Sequence, residues 1–383
     1  ARNILKRKGF VMPDSNMSFP GIIDYVAVHG SKTLEEVPLS AVDGLVFSAM
    51  SYIHFDGLIP DSPQEAPAVK ETAAAILALP ERKRLLRVRS LENQRLLEEM
   101  AKSRRFSGLR LTAYRDIKSP DLEMQFSAIT LLLGSGDIFV VFRGTDGTLI
   151  GWKEDFNLGF QDTVPGQWTA CYYLSNMASL AAGSVWVGGH SKGGNLAVFS
   201  AACTFPDITP RIRAVFNYDG PGFSQAVLDT PGYRTALPLV RTFLPQSSVV
   251  GMLLGHEESY TIVQSGLKGL MQHDPYSWEI RDGDFIRLKE ITEGSCLVDR
   301  TIKTWISELS PEERRAFVDT VFDILRSSGA TRTGELLLPD NVMEIIGSFL
   351  KETSVKRDNI LLPLTSLLKA AGKTLTSFYL DAS

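Results

Sequence analysis

Cysteine is scarce in this 383-residue chain: there are three, Cys171, Cys203 and Cys296, far apart in sequence. An odd set without paired spacing excludes a disulfide framework and a zinc knuckle and points to a reducing, cytoplasmic setting. Long apolar runs are absent too. No stretch reaches the roughly 18 residues of a membrane span, and the N-terminus carries no apolar signal core. Charge of one sign is lacking, with a formal net charge of -4, so neither nucleic acid nor a polyacidic partner is implied. The basic residues between Glu81 and Arg105 alternate with glutamate and leucine and read as the solvated face of an amphipathic helix. There is no internal repeat and no low-complexity tract.

What is present centres on the stretch Ser184 to Ala197. Val185, Trp186 and Val187 read as a buried strand that runs into Gly189-His190-Ser191-Lys192-Gly193 and then into a helix from Asn195 to Ala202. A strand turning sharply into a helix strains the residue at its apex, and glycines two before and two after it make room where a Cβ would collide. Ser191 is then exposed above the sheet, and the Lys192 amide, at a helix N-terminus, is suited to receive an oxyanion. The plainer alternative is a strand-turn-helix in which Ser191 only caps the helix.

The chain is long enough for one large α/β domain with appendages. Residues 1 to about 20 read as a polar leader. Two short helices are expected between Gly21 and Gly57, a loop from Ile59 to Pro67, and a helical region from Val69 to Met100 broken near Pro80. From Phe106 the apolar period becomes that of strands, and Ile138 to Phe142, apolar on both faces, suits a central strand. The loop after it, Arg143-Gly144-Thr145-Asp146-Gly147, stands where a second oxyanion donor is expected, which makes Thr145 the candidate. Further strands are expected at Ala214–Tyr218, Leu239–Leu244 and Ser259–Gln264, with a short helix at Ser247–Leu254. Residues 1–105 thus read as an N-terminal helical region, 106–290 as the core, and 291–383 as a helical appendage of unstated purpose.

A serine needs an imidazole to accept its proton. Of five histidines, His190 sits inside the elbow and is expected to project away from Ser191. Those that follow the nucleophile are His256, before a strand, and His273, on the loop after it, where the base is expected. For the acid, Asp219 at the end of the strand after the elbow is preferred over Asp274, Glu257 and Glu258.

Phe142 to Asp146, Trp152, Asp155 and Gly189 to Ala197 together resemble the class 3 (fungal-type) lipases. With Gln272 to Trp278 and Leu45 to Asp56 added, the chain more closely resembles an uncharacterised bacterial family of lipase-like α/β-hydrolases, over residues 20 to 285. The resemblance implies an α/β-hydrolase fold, a mostly parallel central sheet flanked by helices, here with helical additions at both ends. It implies Ser191 as nucleophile, His273 as base, and Lys192 and Thr145 as the oxyanion hole. Class 3 lipases carry the acid after the strand that here ends near Pro245, where this chain has Gln246-Ser247-Ser248, so the acid is Asp219 or is missing. Lys192 replaces the usual leucine, and its charge suggests an anionic or polar substrate. The reading is a serine esterase acting on an acyl or lipid-like ester, with no metal or organic cofactor. Its rival is a degenerate hydrolase fold kept as a binding module.

Overall fold

In the computed structural model, which describes residues 20–60 and 62–381, the sheet begins where the sequence period changes. The leader expected up to residue 20 lies, but for Pro20, outside the described residues. Helices α1 (Ile22–His29), α2 (Ala41–Met50), α3 (Val69–Leu77), α4 (Glu81–Val88) and α5 (Leu91–Lys102) precede it. Ser40 caps α2 through the Asp43 amide, and Asp43 returns a bond to the Ser40 amide, which fixes where that helix starts.

Strands β1 (Arg110–Ser119), β2 (Met124–Gly134) and β3 (Asp137–Phe142) form an antiparallel meander. Beyond it come α6 (Leu149–Asn157), α7 (Pro165–Leu180), β4 (Val185–His190), α8 (Lys192–Cys203), β5 (Ile212–Tyr218), α9 (Gln225–Leu228), α10 (Pro231–Ala236), β6 (Val240–Pro245) and β7 (Tyr260–Val263). From β3 to β7 every neighbouring pair is parallel. A small hairpin of β8 (Ile280–Arg281) and β9 (Asp284–Phe285) leads to β10 (Arg287–Leu288), which closes the far edge against β7. The fold is therefore the mostly parallel sheet flanked by helices of the α/β-hydrolases.

Strand order follows chain order from β1 to β7, and this explains the placement of the N-terminal helices. Right-handed crossovers between strands that advance in one direction put all linking helices on one face. That face carries Val140, Phe142, Val187 and Val215 packed against α7, α8 and α10. The opposite face, with Phe139, Val141, Phe216 and Tyr218, would be bare, and α1 to α5 cover it. Arg105 holds this cover in place and corrects the solvated-face reading at its end. It is buried against Asp43, with Nε to Oδ1 at 2.8 Å, and Tyr25 donates to the same carboxylate at 3.0 Å.

Two other expectations change. Ser247–Leu254 forms only a short 3₁₀ turn at Val250–Met252, and the elbow helix starts at Lys192 rather than Asn195. After the sheet come α11 (Glu293–Glu308), α12 (Pro311–Ser327), α13 (Pro339–Lys351) and α14 (Ser354–Asp381). Among the described residues no helix is long and apolar enough to cross a membrane, and the three cysteines form no disulfide.

Candidate active site

At the end of β4 the backbone of Ser191 has φ 59° and ψ -134°, an uncommon conformation for a residue with a side chain. Two glycines permit it. A Cβ on Gly189 would run into the Gly193 backbone, and one on Gly193 into the carbonyl of Phe142. The strain is held by the Ser191 amide, which donates to Tyr218 O at 2.9 Å, and by the Gly194 amide, which returns to Ser191 O at 2.8 Å. The Ser191 hydroxyl makes no hydrogen bond among the described residues and lines a cavity of about 990 Å³.

His273 lines the same cavity. Its Nδ1 lies 2.6 Å from Asp219 Oδ2. An ionised carboxylate only accepts, so Nδ1 carries the hydrogen and Nε2 is left as the basic atom. The turn that presents His273 is fixed from behind: Trp278 Nε1 donates to Gln272 O at 2.9 Å, and Gln272 Oε1 accepts from the Ser247 amide at 2.7 Å. Asp219 is fully buried at the end of β5 and also takes the Ser248 hydroxyl at 2.5 Å and the Gly251 amide at 3.2 Å. The loop after β6 thus supplies a hydroxyl donor to an aspartate on β5. Asp274 instead accepts from the Tyr276 amide, and Glu258 is bonded to His256.

The structure brings Thr145 and Lys192 to this cavity as well, and neither backbone amide has an acceptor among the described residues. Thr145 Oγ1 donates to Asp155 Oδ2 at 2.6 Å. Burial pushes the Asp155 carboxyl up to about 6, against the opposing pull of Lys192 and of the Thr145 hydroxyl. The side chain of Lys192 overturns its sequence reading. Its ammonium is buried, bonded to Glu154 at 2.8 Å and to Gln125 O and Oε1 at 2.9 Å each. A charge neutralised there selects no substrate; it braces the elbow against β2 and α6.

His190 also differs from expectation. Rather than projecting away, it lines the cavity, with its ring centroid 4.6 Å from that of His273. Nε2 donates to the backbone carbonyl of His273 at 2.7 Å, which sets the tautomer, and Nδ1 therefore accepts from the Tyr52 hydroxyl at 3.0 Å. Burial, and then the charge of His273, hold its pKa well below the usual range, so this imidazole is neutral. Its signal in the sequence was only its place before the serine. Nothing in the local pattern marked Ser248, Tyr52 or Glu154 as partners.

His54, Asp56 and Asp116 are close enough together for a metal ion. Asp116 is already bonded to Arg143 at 2.8 Å and Lys118 at 3.3 Å, so positive charge occupies the place an ion would need. Burial alone would raise the Asp116 pKa, but the His54 bond and these two cations hold it well below the usual range.

The cavity is closed from above by the C-terminal helices. Ile302, Trp305 and Ile306 of α11, Phe317 and Val318 of α12 and Leu367 of α14 line it. The roof is tied to α6 and the Thr145 loop: Lys153 meets Asp319 at 2.7 Å, the rings of Phe156 and Phe322 are 5.8 Å apart, and Arg332, after α12, donates to Asp146 O at 2.7 Å.

A strained serine between a parallel strand and a helix, with a histidine–aspartate pair in the same cavity, defines a lipase-like α/β protein. The chain belongs to the Mbeg1-like family, whose model matches residues 100–323, more than half of the chain and inclusive of α11 and most of α12. No curated protein matches it. Among solved structures it is similar to a mutant form of MDLA from Penicillium cyclopium, at 12% identity, covering 64% of this chain and 83% of that one with a TM-score of 0.38. The Rhizomucor miehei lipase in its propeptide complex gives 15%, 45%, 66% and 0.32 in the same order. A triacylglycerol lipase from Penicillium expansum gives 13%, 49%, 77% and 0.30. These likenesses are distant, and the fold stands on the sheet and elbow described above.

Proposed function

We propose that the protein is a serine hydrolase that cleaves a carboxylic ester of acyl or lipid-like character through an acyl-enzyme. His273 Nε2 takes the Ser191 proton as Oγ attacks the ester carbonyl, and Asp219 stabilises the imidazolium. The free amides of Lys192 and Thr145 receive the oxyanion. His273 then protonates the leaving alcohol, and water, activated by the same imidazole, releases the acid and restores Ser191. The observation that carries this reading is the 2.6 Å His273–Asp219 bond in the cavity of the strained Ser191. The same bond weighs against a degenerate binding module, whose best support was a missing acid. The apolar roof supports an acyl group as the part enclosed.

The test is labelling of the purified protein by a fluorophosphonate, read by intact mass. One adduct on the parent, none on Ser191→Ala and a large loss of labelling rate in His273→Ala are expected. A folded parent that takes no adduct would overturn the assignment.

A further inference from the structure

A second cavity, of about 610 Å³, adjoins the first. Leu254, Ile302, Ile306 and Arg314 line both, so the two share a wall at the seam between the sheet and the roof helices. The walls of the second cavity are apolar in part, but Lys303, whose ammonium pairs with Asp299 at 3.0 Å, and Arg314 both enter its lining and no aspartate or glutamate does.

Arg314 is the informative residue. Its Nε donates to Leu309 O at 3.0 Å and its Nη1 to Gly159 O at 3.1 Å, which pins the guanidinium at the seam. Both partners are neutral carbonyls. Nη2 has no acceptor and the side chain has no ion pair among the described residues. Burial pulls its pKa below the usual range. The fully buried cations among the described residues are matched: Arg105 by Asp43, Arg143 by Asp116, Lys153 by Glu123 and Asp319, and Lys192 by Glu154. A partly buried guanidinium that is fixed in place, uncompensated and open to two cavities is arranged for an anion that arrives with a ligand.

We infer that the second cavity is the subsite for an anionic head group on the ester, with Arg314 its anchor. This rests on the hydrolase reading of Ser191 and narrows its substrate class: an acyl chain beneath the roof of the larger cavity, joined through the scissile ester to a phosphate or carboxylate beside Arg314. The anion-selecting charge that the sequence suggested at Lys192 is thereby found on α12.

The test separates binding from turnover. Ser191→Ala protein is titrated calorimetrically with 1-hexanoyl glycerol 3-phosphate, with neutral 1-hexanoyl glycerol and with hexanoate. The phosphate ester is expected to bind at least about tenfold more tightly than the neutral one, the worth of one charge-assisted contact. That ratio is expected to collapse in Ser191→Ala/Arg314→Gln and to shrink between about 50 and about 500 mM salt, as screening requires. Equal affinity for the two esters, or a preference that survives Arg314→Gln, would overturn the inference. Hexanoate binding as tightly as the phosphate ester would overturn the head-group assignment, because Arg314 would then hold the acid product. If Arg314→Gln does not fold, the salt dependence on Ser191→Ala and the ratio in Lys303→Gln, expected to fall about threefold, decide in its place. Fluorophosphonate labelling of the parent is read in parallel. Labelling without the binding preference sinks the subsite alone, and the preference without labelling sinks the hydrolase reading alone.

Discussion

Apart from His54 with Asp116, two histidine–carboxylate pairs among the described residues lie on the parallel half of the sheet, and only one of these two belongs to the candidate site. His273 Nδ1 is 2.6 Å from Asp219, and His256 Nδ1 is 3.0 Å from Glu258. The first pair sits at the strand ends beside Ser191. The second joins β6 and α10, because Glu258 also accepts from Thr242 at 2.7 Å and from Tyr233 at 3.0 Å. Burial would raise the Glu258 pKa, yet the His256 bond and charge and the Thr242 bond bring it down to about 2. A polar pair is thus a common solution to burying a carboxylate. What distinguishes the first is the strained serine that shares its cavity.

The sharpest way to break this comparison is to disable each pair in turn. Asp219→Asn is expected to lower kcat/KM for an ester by about 10³- to 10⁴-fold, through a mis-set imidazole tautomer. Glu154→Gln, which strands the Lys192 ammonium in the interior, should cost about 3–5 kcal/mol of stability by chemical denaturation. Glu258→Gln should cost about 2–3 kcal/mol near neutral pH while activity per folded molecule stays close to the parent's. Its pH dependence has a definite sign. The folded pKa is depressed, so the contribution is present above about 4.5 and is lost as pH falls towards about 2. If Glu258→Gln abolished turnover and left the melting temperature unmoved, the roles of the two pairs would have to be exchanged.

Asp155 works in the opposite sense. Its folded pKa is raised from 3.8 to about 6, so its favourable contribution is present below about 3.8 and is lost as pH rises through about 6. Asp155→Asn, whose amide oxygen still accepts from Thr145, should therefore stabilise the protein by about 2 kcal/mol at pH 8 relative to the parent and by almost nothing near pH 4, as read by chemical denaturation. The smallest effect is expected at the neutral imidazole. His190→Phe keeps a ring against His273 but releases its carbonyl, and an about tenfold fall in kcat with KM unchanged is expected, in line with one lost buried hydrogen bond. An unchanged kcat would reduce His190 to packing.

Much of this was legible in local pattern. The period change near Phe106, the apolar run Ile138 to Phe142 and the glycine-spaced Ser191 each express a demand that neighbouring residues impose on one another, so strands, elbow and the loop of Thr145 could be placed from sequence. Asp219 and His273 could be nominated because parallel strands end at one face. Their bond could not be read, since it depends on how the β5 and β7 loops fold over each other with Ser248 beneath.

Charge placement was the least legible feature, because a side chain carries no mark of what it will face. Lys192 reads as a free cation beside Ser191 until β2 and α6 bring Gln125 and Glu154 to it, and Arg105 reads as surface until α2 supplies Asp43. The tail shows only helical periodicity, and its placement as a roof comes from contacts with residues far off in sequence. Sequence alone determined the sheet, the strained serine and the short roster of groups around it, since these follow from sterics and apolar period over a few residues. Tertiary structure decided which carboxylate meets which histidine, which cations are neutralised and what covers the cavity, since burial and Coulombic pairing are set by distance in space.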